Sequence, residues 1–407
     1  MTNSISPQEL LVIRGRGRVS ALGQSLTALG TASPFTARQT GQHVLPVAAL
    51  PAAAEEALQE LRRSQPAYRQ LDRTVLLGLL AARQAADAAG WGTPRPVGTE
   101  QSAFEISVSM GSSRGATGRL EEFHTEFLRE GTVPVAASPL TTLGNVASWV
   151  AYDAGSTGGA SLSHSSTCSS AFQALGNAAA WLRAGMATRF LAGGTEAPLT
   201  DFTLAQMQAI GIYSPFAAAE FPCRPGAGKP STFVLGEGAA VFALEKVSAA
   251  SLTEQPRQPV EVLEAVGFGF EAIGSKTGLS ADGQHFQQAM RSALGQSGCG
   301  LADVDAVVLH SPGTPAGDAA ERAALRAVFG EALPLLLSNK WLIGHTLGAS
   351  AALSLDFALH VLETQQWPTP PFPTDLAPFP SARPLRRILV NAAGFGGNAA
   401  SAIVSLQ

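Results

Sequence analysis

The amino-acid sequence predicts an α/β protein built on parallel sheets. Short apolar runs alternate along the chain with alanine-rich stretches of helical character, which is typical of strands joined by helices. Hydrophobic residues make up 45% of the 407 residues, so the chain can bury a large core. The 42 glycines indicate close helix packing and many tight turns.

In the first half, the run A-S-L predicts a strand that leads into a polar turn around Cys168, and a helix of small residues follows that turn. Residues 111–160 are rich in glycine and polar residues, and we expect them to contribute loops and a surface that faces the partner in a dimer. The polar, proline-bearing stretch 248–259 predicts a domain junction. The run V-E-V-L-E-A-V-G-F-G-F after it predicts the start of a second series of strands.

The second half resembles the first in outline. The apolar runs D-A-V-V-L-H and L-P-L-L-L each precede a polar turn, and a helix of small residues follows His345 as another follows Cys168. The length of the chain also allows two domains. We therefore divide the chain into residues 1–255 and residues 256–407.

Composition excludes several classes of function. The formal charge of −4 argues against nucleic acid or an anionic membrane as the general partner. The three cysteines are widely separated and have neither metal-ligand nor disulfide spacing, which favours a reducing compartment. The N-terminal sequence has no signal-peptide pattern, and no run of about eighteen apolar residues could span a bilayer. We expect a cytoplasmic protein with no metal site and no membrane span.

Cys168 is the first candidate for chemistry. Its neighbours are serines and a threonine rather than Val, Leu or Ile, in the sequence S-H-S-S-T-C-S-S-A-F. A thiol at the N-terminus of the following helix would meet backbone N–H groups and the helix dipole, which favour the thiolate. From these residues alone, a nucleophile and a buried, inert cysteine both remain open.

Two histidines favour the nucleophile. His310 ends the run D-A-V-V-L-H, and His345 follows the run L-P-L-L-L by a short polar turn. In open parallel sheets, reacting groups gather outside the carboxyl ends of the strands. Cys168 follows a strand in the same way. Three reactive residues at equivalent positions predict a single site.

Five segments, in order along the chain, resemble the β-ketoacyl-ACP synthases, the two-histidine condensing enzymes of the thiolase superfamily. They are T-C-S-S-A-F, F-V-L-G-E-G-A-A-V-F-A-L-E, H-S-P-G-T-P-A-G-D-A-A-E, K-W-L-I-G-H-T-L-G-A-S-A and N-A-A-G-F-G-G-N. The resemblance implies a duplicated five-layer αβαβα thiolase fold. It also implies an acyltransferase that joins an acyl thioester to malonyl-ACP by decarboxylative Claisen condensation.

The resemblance assigns a role to each motif. Cys168 would accept the acyl group, and its backbone N–H would form an oxyanion hole with that of Phe395. His310 and His345 would stabilise the enolate left by decarboxylation. Lys340 would place a positive charge near the histidines, and Asp318 and Glu321 would hold that lysine. Thr314 would contact the substrate arm. Gly394 and Gly396 would belong to the loop at Phe395.

The resemblance also implies partners. No cofactor would be bound, because the substrates arrive on the 4′-phosphopantetheine of an acyl carrier protein. That carrier is acidic, and a cluster of arginines could receive it, although a solvated helix face explains the same charges equally well. The cluster comprises Arg62, Arg63, Arg69 and Arg73. A homodimer, or a heterodimer with a related ketosynthase-like subunit, is expected.

Four positions depart from the family pattern. Pro312 replaces a threonine that contacts the pantetheine arm, and Trp341 replaces a small residue, so that we expect it to reshape a pocket wall or press on a partner subunit. Ser354 stands where ordinary bacterial members carry a glutamate, and Ala393 replaces an aromatic residue. These changes favour a specialised pathway, such as that of a polyene, an aryl-polyene or another polyketide-like product.

Three other functions fit parts of the sequence. Housekeeping fatty-acid elongation would fit the motifs but not the four departures. A non-elongating, chain-length-factor-like partner subunit would generally lack the cysteine that this chain has at position 168. A thiolase that uses coenzyme A would carry a second cysteine in a C-terminal C-x-G loop, where this chain has N-A-A-G-F-G-G-N.

Overall fold

The computed structural model describes residues 9–26, 32–91, 105–143, 145–250, 259–272, 280–380 and 383–407. Its strands are β1 Glu9–Val19, β2 Thr36–Thr40, β3 His43–Val47, β4 Ser107–Gly111, β5 Ser161–His164, β6 Arg189–Glu196, β7 Gly238–Ser248, β8 Glu261–Phe270, β9 Ala306–Val308, β10 Leu335–Leu337, β11 Arg387–Gly394 and β12 Asn398–Leu406. Its helices are α1 Ala52–Ser64, α2 Arg73–Ala88, α3 Thr117–Glu130, α4 Ala137–Thr141, α5 Asn145–Asp153, α6 Ser170–Arg183, α7 Asp201–Ala209, α8 Gln284–Ser297, α9 Pro315–Phe329, α10 Lys340–Ile343 and α11 Ser350–Thr364.

Ten strands form a continuous row in the order β10-β9-β11-β12-β8-β1-β7-β6-β4-β5. The two halves of this row have the same internal order: β1, β7, β6, β4, β5 in one and β8, β12, β11, β9, β10 in the other. They meet where Val12 of β1 pairs with Val262 of β8. The faint repeat in the sequence is therefore a repeat of topology.

The row of strands is mixed, which corrects the expectation of parallel sheets. In each half the three outer strands are parallel, and one strand, β7 or β12, runs antiparallel to both of its neighbours. The hairpin between β11 and β12 gives the physical reason, because residues 395–397 are too few for the crossover that a parallel pair needs. The strands β2 and β3 form a separate two-stranded sheet.

Helices cover the strands on both faces and fill the space between the two halves. The helix α11 lies in the middle, against α6, and is buried along most of its length. On the outer faces, α2 packs on β1 and β7, whereas α8 packs on β8 and β12. This arrangement is the duplicated five-layer αβαβα thiolase fold, as predicted.

Glycine pairs allow the outer helices to approach the strands. A Cβ built at Gly17 of β1 would lie 2.1 Å from the carbonyl oxygen of Ala81 in α2. A Cβ at Gly269 of β8 would lie 2.0 Å from the carbonyl oxygen of His285 in α8. The G-R-G-R sequence of β1 therefore serves helix packing, and the related half uses G-F-G at the matching strand.

Residues 111–160 were expected to form loops, but α3, α4 and α5 occupy much of this segment. Their apolar residues recur at helical spacing, so that Val146, Ala147 and Val150 of α5 are buried. Most of the predicted junction at 248–259 lies outside the described residues. Among the helices that are described, none is long and apolar enough to cross a bilayer.

Candidate active site

Cys168 lies in a hydrogen-bonded turn between β5 and α6. Thr167, just before it, has a left-handed backbone with a φ of 52°, which is rare for a β-branched residue. Hydroxyl groups hold this turn. The Oγ of Ser170 accepts from the N–H of Ser166 at 2.9 Å and donates to the carbonyl of Thr167 at 2.5 Å. The polar residues around Cys168 in the sequence therefore build the turn that carries the thiol.

One cavity of about 270 Å³ brings the three predicted reactive residues together. Cys168, His310 and His345 all line it, and the centroids of the two imidazole rings are 5.2 Å apart with their planes at 86°. Phe395, Gly394 and Thr314 line it as well. The rest of the wall is mostly apolar and comprises Met207, Ile210, Ile212, Phe233, Phe286, Pro312, Ala316, Gly317, Leu347 and Ala393.

The hydrogen bonds of His345 define its tautomer. The backbone N–H of Leu347 donates to Nδ1 of His345 at 3.0 Å, so the neutral ring carries its proton on Nε2. Burial, and then the charge of Lys340, lower the pKa of His345 to about 3. Burial, followed by His345 and Lys340, holds the pKa of His310 well below its ordinary value. Both rings are therefore neutral at pH 7.

The thiol of Cys168 is protonated in the resting protein. Burial, and then the nearby Glu196, raise its pKa to about 12, while Lys340 and Arg114 act in the opposite direction. This corrects the expectation that the helix start alone would favour the thiolate. The helix α6 begins two residues beyond the cysteine, and burial outweighs its contribution. A neutral imidazole in the same cavity can accept the proton.

Glu321 and Asp318 do not hold Lys340, which corrects the role that the resemblance assigned to them. Glu321 accepts from the N–H groups of His310 and Ser311 at 2.9 and 2.8 Å, and from the Nδ2 of Asn391 at 3.1 Å. Asp318 accepts from two loop N–H groups, those of residues 226 and 313, at 2.8 and 3.2 Å. Both carboxylates therefore fix the loop that follows β9 and carries His310, because strand-end N–H groups need acceptors.

Lys340 is buried, with 1% of its surface exposed. Its ammonium donates to the Oγ of Ser354 at 3.1 Å, and none of the ion pairs within the described ranges includes it. Burial lowers its pKa to about 8. The hydroxyl of Ser354 in turn donates to the Oδ1 of Asn339 at 3.1 Å.

The glycine loop after β11 packs on the nucleophile turn. A Cβ built at Gly394 would lie 2.8 Å from the backbone nitrogen of Cys168, closer than real Cβ atoms come. The carbonyl of Phe395 accepts from the Oγ1 of Thr167 at 3.3 Å. Gly396 has a φ of 90°, which favours glycine. These contacts place Phe395 and Cys168 on neighbouring walls of the cavity.

Trp341 does not form a wall of this cavity. Its ring is 2% exposed and packs against the rings of Phe221 and Phe372, with centroids 5.9 and 6.2 Å apart. The expectation that its bulk would reshape the pocket or press on a partner is therefore wrong. The single turn of α10 directs Lys340 and Trp341 into different surroundings.

Glu196 is a residue that sequence reasoning missed. It is the last residue of β6 and is fully buried, and burial raises its pKa to about 7. Its carboxylate accepts from the N–H groups of Ser113, Arg114 and Gly348 at 2.6, 3.1 and 2.9 Å. It thus joins the loop after β4 to the segment just after His345. Its place at a strand end, as with Cys168, was the signal available in the sequence.

Within the described ranges, no group of three or more His, Cys, Asp or Glu side chains is arranged to hold a metal ion. The cavity presents a thiol and two neutral imidazoles within an apolar wall, and the charge of the buried Lys340 acts on all three groups. This set suits acyl transfer to sulfur.

Two family models match the chain. The beta-ketoacyl synthase N-terminal domain matches residues 13–250, and the beta-ketoacyl synthase C-terminal domain matches residues 262–371. The 3-oxoacyl-[acyl-carrier-protein] synthase 2 of Staphylococcus aureus strain COL is 29% identical over 346 residues, which are 81% of this chain and 81% of the relative.

Solved structures share the fold. The ishigamide ketosynthase/chain length factor superposes with a TM-score of 0.81 at 20% identity, and covers 98% of this chain and 99% of that one. A ketosynthase in complex with its chain length factor from Xenorhabdus doucetiae gives 0.74 at 21% identity over the whole of both chains. The family models and the curated relative together show a condensing acyltransferase of the 3-oxoacyl-ACP synthase type. The chain belongs to the β-ketoacyl synthase family.

Proposed function

We propose that Cys168 is the nucleophile of this condensing enzyme and that His310 and His345 assist its reaction with malonyl-ACP. The observation that carries this proposal is that a thiol and two neutral imidazoles, far apart in sequence, line one apolar cavity. Lys340 supplies a positive charge near all three groups, since it lowers the pKa values of the thiol and of both rings.

In the first half-reaction, the sulfur of Cys168 attacks the carbonyl carbon of an acyl thioester. The thiol proton passes to a neutral imidazole, and the pantetheine thiolate leaves and takes up that proton. The N–H groups of Cys168 and Phe395 are the donors that we assign to the oxyanion. The acyl chain then occupies the apolar part of the cavity.

In the second half-reaction, the malonyl thioester loses carbon dioxide, and the electron pair of the broken bond passes into an enolate. The Nε2–H of His345, set by the hydrogen bond at Nδ1, donates to the enolate oxygen. The enolate carbon attacks the carbonyl carbon of the acyl-enzyme, the Cys168 thiolate leaves, and one proton from solvent restores the resting thiol. Each bond made is thus matched by one broken, and no cofactor is needed.

We place the reaction in the cytoplasm and in a specialised pathway of the polyene, aryl-polyene or polyketide type. Three departures from the family pattern support that pathway. Pro312 and Ala393 line the cavity, so they alter the surface that meets the substrate. Ser354 contacts the active-site lysine. Efficient elongation of saturated chains with ordinary malonyl-ACP, together with complementation of fatty-acid synthesis, would contradict this assignment.

Acyl carrier protein is the proposed carrier of both substrates, and part of the arginine cluster is available to receive it. Arg63 and Arg69 are exposed. Arg73 is engaged by Glu55 and Glu237 at 2.7 Å each, so it is unavailable for docking. A charge reversal at Arg63 should raise the KM for acyl-ACP without changing acylation by a small free thioester.

The second candidate is a non-elongating partner subunit in a heterodimer. Its support is the likeness of this fold to structures described with a chain length factor. The edge strand β5 offers a surface for either a second copy or a related subunit. Co-purification from the native source would show which of the two assemblies forms.

Two measurements separate these functions. Incubation with acyl-ACP should add the mass of one acyl group to the protein, and the Cys168→Ala variant should show no such shift. Addition of malonyl-ACP should then release carbon dioxide, and substitution of either histidine by alanine should suppress this release. A wild-type protein that is never acylated would favour the partner subunit.

A further inference from the structure

Among the residues that the structure describes, no carboxylate forms an ion pair with the ammonium of Lys340. The ammonium of Lys340 is buried, and its hydrogen-bond partner is the hydroxyl of Ser354 at 3.1 Å. Ser354 is itself fully buried on α11 and is fixed by the Oδ1 of Asn339. A buried ammonium usually pairs with a carboxylate because burial of an isolated charge is costly. Here a neutral hydroxyl holds it instead.

The groups that face Lys340 come from several elements. Cys168 approaches from the turn before α6, and Cys223 from the segment before β7. The charge of Glu321 on α9 acts on Lys340, but the oxygens of Glu321 already accept hydrogen bonds from the His310 loop. The charge of the lysine also lowers the pKa values of His310 and His345. The lysine is therefore surrounded by groups whose protonation it can bias.

We propose that Ser354 anchors Lys340 without neutralising it, so that an uncompensated cation stabilises the thiolate of Cys168. Ser354 is thus a positioning residue that acts through the lysine and does not contact the thiol. This inference rests on the proposed function only in that Cys168 is taken as the nucleophile. Because burial lowers the pKa of Lys340 to about 8, the cation is present at neutral pH and is lost above that value.

The matched variants Ser354→Asp and Ser354→Asn test this inference, since they are nearly equal in size and differ in charge. The readout is the rate at which iodoacetamide alkylates Cys168 between pH 6 and pH 9, measured by mass spectrometry of the peptide that contains it. The Asp variant should react roughly tenfold more slowly than the Asn variant at pH 7, because a neighbouring charge moves a pKa by about one unit. The half-exposed Cys299 serves as an internal control and should react equally in both.

A second variant keeps the inference falsifiable if the Asp variant does not fold. Lys340→Met removes the cation and keeps the apolar stem, so it should slow alkylation of Cys168 as the Asp variant does. Equal rates in folded Asp and Asn variants, or a Lys340→Met protein that reacts as fast as the wild type, would overturn the role of Ser354. Failure of wild-type Cys168 to accept an acyl group would instead contradict the proposed function, because alkylation does not depend on the acyl substrate.

Discussion

One added methyl group at Gly394 would test the active-site geometry directly. Gly394 ends β11 beside the nucleophile turn, and a Cβ there would lie 1.7 Å from the Oγ1 of Thr167 and 2.8 Å from the nitrogen of Cys168. Ordinary contact begins near 3.4 Å, so the backbone of Cys168 would have to retreat by about 0.6 Å and the hydroxyl by more.

This displacement should affect chemistry more than stability. Overpacking of a filled site costs about 1–3 kcal/mol of unfolding free energy. A shift of ångström size in a reacting group can slow a reaction on the order of 100-fold. We therefore expect a folded Gly394→Ala protein whose Cys168 is acylated about 100-fold more slowly than that of the wild type.

The assay is single-turnover acylation by acyl-ACP, followed by mass spectrometry of the intact protein. The control is Gly295→Ala in α8, where a Cβ would meet nothing within 4 Å. This control should acylate normally and gain about 0.5–1 kcal/mol of stability, because alanine favours a helix. A folded Gly394→Ala protein that is acylated within about threefold of the wild-type rate would refute the reasoning.

Three further predictions concern neighbouring groups. Glu321→Gln should lower the unfolding free energy by about 2–4 kcal/mol in urea melts, because an amide nitrogen would replace one oxygen that accepts from buried donors. Folding lowers the pKa of His345 from its ordinary value of 6.5 to about 3. The neutral ring therefore contributes its full stability above pH 6.5, and this contribution is lost as the pH falls toward 3. In urea melts, the unfolding free energy of His345→Gln should fall less than that of the wild type over this pH range. Pro312→Thr restores a hydrogen-bond donor on the cavity wall and should lower the KM for ACP-bound substrates about fivefold with little change in kcat in steady-state assays, whereas an unchanged KM would contradict a role in contacting the substrate arm.

The sequence allowed the meeting of Cys168, His310 and His345 to be predicted, because each of them follows the carboxyl end of a strand. It did not show how the two halves meet, since β5 and β10 lie at opposite ends of the row of strands. The partners of the carboxylates were harder to predict. Glu321 accepts from N–H groups that have no strand partner because β9 has ended before them, and the residue at which β9 ends depends on the folded sheet. A carboxylate in a motif therefore indicates a buried acid but does not identify its donors.

The directions of the side chains in a motif could not be predicted from its sequence. Lys340 and Trp341 are adjacent in sequence, and both were expected beside the active site. In the single turn of α10, however, consecutive residues project about 100° apart, so one faces Ser354 and the other faces Phe221 and Phe372. Spacing within a motif could not resolve this difference. The mixed strand directions likewise depend on the short hairpin at 395–397. Its length is known only when the ends of β11 and β12 are known.

The last strand of the row has a consequence for reactivity. In the described chain, β5 hydrogen-bonds to β4 on one side, and its other side is open. Only residues 165–167 separate it from the thiol. Any polypeptide that pairs with the open edge of β5 would also restrict the motion of the turn that carries Cys168. Dilution that dissociates such a partner would therefore abolish activity while the protein is still folded.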